Sequence, residues 1–153
     1  MALEKALWQR VKKGGIALKL LGHRVVLTRI ENMVDEGTPD VEGCVFPQTA
    51  MGGAQIWIEL KSCDRPARAS TPIRPKVRPS QSDWHRERTA AGSRHHFVLI
   101  QVGEASQAKL YLIPGRDYDL IVAPEIDLEL LSVLSYSTVP MTQVLLRAAA
   151  GWE

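Results

Sequence analysis

Hydrophobic and polar residues follow two periods along this chain, and the changes of period mark its elements. Leu3, Leu7 and Val11 recur at spacing four, which predicts an amphipathic helix over residues 2 to about 13 with Glu4 at the edge of the apolar stripe. Gly14-Gly15 reads as its stop. Ile16-Ala17-Leu18 and Val25-Val26-Leu27 then read as two strands around a turn near Gly22-His23. The β-branched and aromatic run 56–60 predicts a buried strand. Residues 47–54, with Gly52-Gly53, read as the hairpin loop between it and a strand that follows Asp40. Ser80 is the expected N-cap, with Asp83 in the first turn, of a helix from Gln81 to about Ala91 that Gly92 ends. On that helix Gln81, Trp84, His85 and Arg88 share one face. Residues 97–102 and 109–113 predict two more strands, joined by a polar turn. From Tyr118 onward the apolar residues exceed what one small core needs, so this part is expected to supply helices against the sheet or a subunit interface.

The strand 56–61 carries the first sign of chemistry. Side chains alternate across a strand, so Glu59 and Lys61 leave on one face while Ile58 and Leu60 leave on the other. Packing gives a core strand no reason to end in a carboxylate and an ammonium on the same face. Upstream, Pro39 holds Thr38 extended, and the turn Gly37-Thr38-Pro39 hands Asp40 to the next strand in a fixed orientation. Taken alone, Asp40 is better explained as a turn-capping aspartate. Brought alongside Glu59 and Lys61, it would complete a set able to hold a hard cation and aim water at a phosphate.

These residues carry a resemblance. Pro39-Asp40 followed by Glu59-Leu60-Lys61 resembles the PD-(D/E)xK nuclease superfamily. Glu4 ahead of Val11-Lys12-Lys13-Gly14-Gly15, then Gly37-Thr38-Pro39-Asp40, and Gln81 opening a later helix, are similar to its VRR-NUC branch of structure-specific nucleases, across roughly the first hundred residues. The resemblance implies an α/β fold with a restriction-endonuclease-like core, a small mixed β-sheet flanked by helices. It implies a single nuclease domain over 1–153, with its core at about 1–115 and a C-terminal helical extension at about 118–153. It also implies a DNA endonuclease dependent on Mg²⁺ or Mn²⁺ and acting on branched DNA, a Holliday junction or a flap. Metal ligation falls to Glu4, Asp40, Glu59 and the carbonyl of Leu60, and catalysis to Asp40, Glu59, Lys61 and Gln81. Glu31 competes with Glu4 as the upstream acid, and Glu31-Asn32 otherwise has a supporting role. Lys61 is open between a structural counter-charge and a group that positions water. A homodimer would set two sites against two strands of a branch. The rival reading keeps the fold in a DNA-binding or packaging accessory that does not cut.

Charge adds one element to this picture. The net charge of +2 is too small to argue for nucleic acid, but its placement is informative. Residues 64–79 hold Pro66, Pro72, Pro75 and Pro79, which exclude a regular helix or central strand. Arg65, Arg68, Arg74, Lys76 and Arg78 are interspersed among them, with Arg88 extending the basic surface. This is expected to be a semi-rigid arm that contacts DNA phosphates. Cys44 and Cys63 form no framework and are expected as free thiols in a reducing compartment. They lack zinc spacing with His95 and His96. No leader-like or bilayer-length apolar run is found, so the expected setting is the cytoplasm of a bacterial or phage-infected cell, away from membranes.

Overall fold

The computed structural model of the chain describes residues 2–31, 37–47, 53–68, 70–71, 73–104, 108–121, 127–136 and 140–152. Six strands form one mixed sheet in chain order: β1 (Arg24–Arg29), β2 (Val41–Phe46), β3 (Ala54–Cys63), β4 (His96–Val102), β5 (Lys109–Pro114) and β6 (Leu134–Tyr136). All neighbours are antiparallel except β3 and β4, which run parallel. A parallel pair requires a crossover. The proline-rich segment and helix α2 (Pro79–Ala90) provide it. Among the described residues no helix is long and apolar enough to cross a membrane.

Helices α1 (Ala2–Leu20) and α4 (Met141–Ala150) cover one face. Leu7, Val11, Val144 and Leu145 meet Ile56, Ile58 and Leu60 there in one buried cluster. On the opposite face Val98, Ile100, Ile113 and Tyr118 form a second cluster, against which Ile73 and Val77 of the proline-rich segment pack. α2 joins that layer through Trp84, whose ring lies 5.4 Å from Trp57. The period-two alternation of β3 therefore holds: Ile58 and Leu60 face α1, and Glu59 and Lys61 face away from it. All seven residues of β4 are buried, as a central strand covered on both faces requires.

Three expectations are corrected. Gly14-Gly15 does not stop α1, and residues 16–18 are not a strand. A Cβ on Gly14 would lie 2.7 Å from Met141 Cγ, so the glycine is there to let α4 approach. The helix ends a turn later, where Gly22 takes φ +95° and the His23 and Gly22 amides bond the Leu18 and Lys19 carbonyls in a Schellman motif. Second, α2 begins at Pro79, with Arg78 rather than Ser80 as N-cap, because proline fits the first helical position. Third, the C-terminal part supplies the expected helix against the sheet, α4, but is not helical throughout. It contributes a 3₁₀ turn (Gly115–Leu120), a short helix α3 (Leu128–Leu131) and the edge strand β6. Val144, Leu145, Ala148 and Trp152 complete the main core, which accounts for much of the apolar surplus.

The two glycines of α1 should respond differently to alanine. Gly14→Ala forces Met141 Cβ and Cγ aside and should cost about 1–3 kcal/mol despite alanine's better helix propensity. Gly15→Ala meets the mobile tip of Leu27 and should be near neutral. Urea unfolding of both variants checks this.

Candidate functional site

The site is built where β2 stops short of β3. The last rung between them pairs Val41 with Ile58, and among the described residues no strand continues along that edge beyond it. Asp40 fills the step: its Oδ2 accepts the Leu60 amide hydrogen at 2.8 Å. In a strand the N–H and C=O of one residue point the same way, so the Leu60 carbonyl faces the same opening. Arg29, on β1, stands 4.0 Å from the other Asp40 oxygen. Gly37 locks the turn against α2, since a Cβ there would sit 2.5 Å from the Ser80 carbonyl oxygen. The turn that carries Asp40 is thereby set against the first turn of the helix that carries Gln81.

Gln81 is the hub of the buried polar groups. Its Oε1 accepts from Lys61 Nζ at 2.8 Å and from the Tyr118 hydroxyl at 2.7 Å, with the Arg78 amide at 3.4 Å. Lys61 has no acceptor, so this fixes the amide orientation. Gln81 Nε2 then donates to Glu59 Oε1 at 2.6 Å. Lys61 Nζ is 3.8 Å from that same oxygen. Glu59, Lys61 and Gln81 are all buried, and Glu59 Oε2 has no hydrogen-bond partner among the described residues.

The electrostatics follow from this burial. Glu59 is pushed up to about 9, first by desolvation and next by the negative charge of Asp40, against the pull of Lys61. Lys61 is pushed down, again mainly by burial, while Glu59, Glu4 and Asp40 hold it up. Tyr118 is pushed up by burial and the Glu59 charge. A proton or a cation at Glu59 Oε2 is what allows this carboxyl to stay inside.

Asp40, Glu59, Lys61 and Gln81 are thus drawn together from three elements. Glu4 contributes through its charge on Glu59 and Lys61, whereas Glu31 lies exposed just past the end of β1. Asn32 is outside the described residues. No group of three His, Cys, Asp or Glu side chains forms a ready-made metal cage among the described residues. Arg65, Arg68, Arg74, Lys76 and Arg78 are exposed along the irregular segment. Arg88 instead lies over Trp84, its guanidinium 4.3 Å from the ring. Cys44 and Cys63 are free thiols.

Two features escaped sequence reasoning. Tyr118 comes from the 3₁₀ turn after β5, where no periodicity announces an inward hydroxyl. His85 and His96 stack, with Nδ1 atoms 2.8 Å apart. Thr89 Oγ1 donates to the His85 carbonyl, leaving it to accept from His96 Nε2–H at 3.3 Å. His96 Nδ1 is then the acceptor and His85 Nδ1–H the donor. Eleven residues separate the two rings, a spacing that matches no local motif.

Comparison with family models, with curated proteins and with solved structures finds no match to this chain.

Both imidazoles should remain neutral well into acid. Burial, with neighbouring positive charge, lowers His85 to about 3 and His96 to about 4. Because the folded values lie below the unfolded one near 6.5, the unfolded chain binds more protons. Stability is therefore full above pH 6.5 and declines toward pH 4. NMR titration checks this: neither buried ring should titrate above pH 5, and a midpoint near 6.5 for either would refute the pairing.

Proposed function

We propose that this chain is a divalent-metal-dependent DNA endonuclease with a restriction-endonuclease-like core, akin to the PD-(D/E)xK superfamily and its VRR-NUC branch. The observation that carries the reading is the buried Glu59 carboxyl, whose Oε2 meets no donor among the described residues and which can hydrogen-bond the neighbouring Asp40 only when protonated. A carboxyl as buried as Glu59, set beside the half-buried Asp40, calls for positive charge, and oxygen donors of this kind suit Mg²⁺ or Mn²⁺. Asp40, Glu59 and the Leu60 carbonyl would hold the ion, with Glu4 as the acid whose charge reaches Glu59. When bound, it would polarise the phosphate and lower the pKa of a water.

The protein's own groups do the positioning. Leu60 N–H holds the Asp40 carboxylate toward the opening of the sheet step. Gln81 Oε1 restrains the Lys61 ammonium, so its charge is aimed without rotamer search. Lys61 would orient the attacking water and offset charge developing on the phosphate. Water adds to phosphorus and the bond to the leaving oxygen breaks, yielding a phosphomonoester and an alcohol. The exposed cations of residues 65–78 supply phosphate contacts beside this point. A branched substrate, a junction or a flap, is the class we assign. A symmetric dimer would present two such sites to it.

Cleavage of junction, flap, linear and single-stranded DNA with Mn²⁺ or EDTA tests the proposal. Asp40→Asn and Lys61→Ala should each lower the rate by about 10³-fold or more, with folding retained. DNA binding without cleavage of any substrate by the wild type would favour a silent binder instead. Mn²⁺ at about a hundred times its Kd should stabilise the wild type by about 2.7 kcal/mol. Glu59→Gln should abolish that shift yet leave the metal-free protein no less stable at pH 7.

Tyr118→Phe addresses the hub. Losing one of the donors that hold Gln81 should reduce kcat by about tenfold while KM and Mn²⁺ affinity stay unchanged. Equal losses in kcat/KM and metal affinity would mean that the hydroxyl serves the fold alone.

A further inference from the structure

The irregular segment between β3 and α2 has an order of its own. Ile73 and Val77 pack against the second apolar cluster and Pro75 is buried, while Arg74, Lys76 and Arg78 between them are exposed. This inward–outward alternation turns three cations to solvent in a row, successive ones roughly 6–7 Å apart at the rise of an extended chain. The row begins at the site, where the Arg78 charge bears on Lys61 and Tyr118 and the Arg78 amide faces Gln81 Oε1.

At its far end the segment and β5 enclose a cleft of roughly 600 Å³. Arg65, Arg68 and Thr71 line one side, Lys109 and Tyr111 another, and Ile73 and Val102 provide a carbon floor. Glu129 is ion-paired with Lys109, and Arg65 and Arg68 are exposed at the rim. A duplex cannot enter a cleft of this size, but it lies in the range of small-molecule sites. Cations at the rim and carbon at the base are what a nucleotide needs: phosphate outside, base inside.

We infer that Arg78, Lys76 and Arg74 form a track for a single DNA strand leaving the site, and that the Arg65–Arg68–Tyr111 cleft seats an unpaired nucleotide of that strand. Of the branched substrates, this selects one with a single-stranded tail or flap. The strand's origin rests on the nuclease reading, whereas the track and cleft do not require catalysis.

Fluorescence anisotropy of the full chain in EDTA, with blunt duplex and with duplexes bearing tails of two to twelve nucleotides, tests the inference. Affinity should rise about tenfold or more over blunt duplex and level off once the tail is a few nucleotides long. The Arg65→Ala/Arg68→Ala double variant should lose that gain, its affinity for tailed DNA falling to whatever level it shows for blunt duplex. Both side chains are exposed, so its urea midpoint should match the wild type. A deoxynucleoside monophosphate should compete poorly with the tail, since it lacks the track. Equal affinity for blunt and tailed DNA, a tail preference that survives in the double variant, or full displacement by the mononucleotide would overturn the assignment. Because no divalent ion is present, an absence of cleavage elsewhere leaves this result readable, and cleavage without tail preference sinks the track alone.

Discussion

A single hydrogen bond, from the Leu60 amide to the Asp40 carboxylate, closes the step that β2 leaves beside β3. An exposed strand edge normally attracts another strand or is covered. Here the bare amide is met by a side chain, and the side chain is a charged one. That substitution sets a carboxylate against a buried neighbour, Glu59, and turns the Leu60 carbonyl to the same opening. Lengthening β2 by one rung would restore ordinary sheet pairing and remove the site. The polar cluster is therefore a product of where the strand ends as much as of which residues it holds.

The remaining polar groups follow from the need to keep that cluster inside. A buried glutamate and a buried lysine are each unfavourable alone, and their mutual attraction at 3.8 Å offsets this only in part. Gln81 completes the set because an amide can accept from the ammonium at one end and donate to the carboxylate at the other. Tyr118 and the Arg78 amide converge on the same oxygen. Each group restricts the next, which lowers the rotamer entropy left to lose on meeting a ligand. The strain that remains resides in Glu59, where burial and the Asp40 charge disfavour the ionised carboxylate. On the proposed reading, stability is given up there for readiness to take a cation.

Much of this was legible from residue order. The alternation of Ile58, Glu59, Leu60 and Lys61 reports a strand with one chemical face, and strand geometry makes that prediction robust. Pro39 before Asp40 likewise restricts the turn locally. Helix α2 is followed by its own stop signal, Gly92 at φ +95°. What could not be read was distance-dependent. Gly14 looks like a terminator from its own sequence and becomes a contact point only once α4, some 127 positions later, lies against it. Tyr118 and the His85–His96 pair depend on a 3₁₀ turn and a stacking geometry that no spacing rule encodes. Edge strand β6 is three residues long, too short for any period to appear.

The parallel seam between β3 and β4 has a bearing on how the molecule is made. β1 to β3 can zip as neighbours along the chain, as can β4 and β5, through short-range antiparallel contacts. Glu59 opposite Val98 and Lys61 opposite Ile100 lie on the junction of those two halves, joined through the long crossover. Loop-closure entropy makes such a pairing slow. Until it closes, the two ionised groups can remain hydrated, so their desolvation falls on the final docking of preformed halves. The chemistry of the molecule and its rate-limiting assembly step would then share one line of hydrogen bonds.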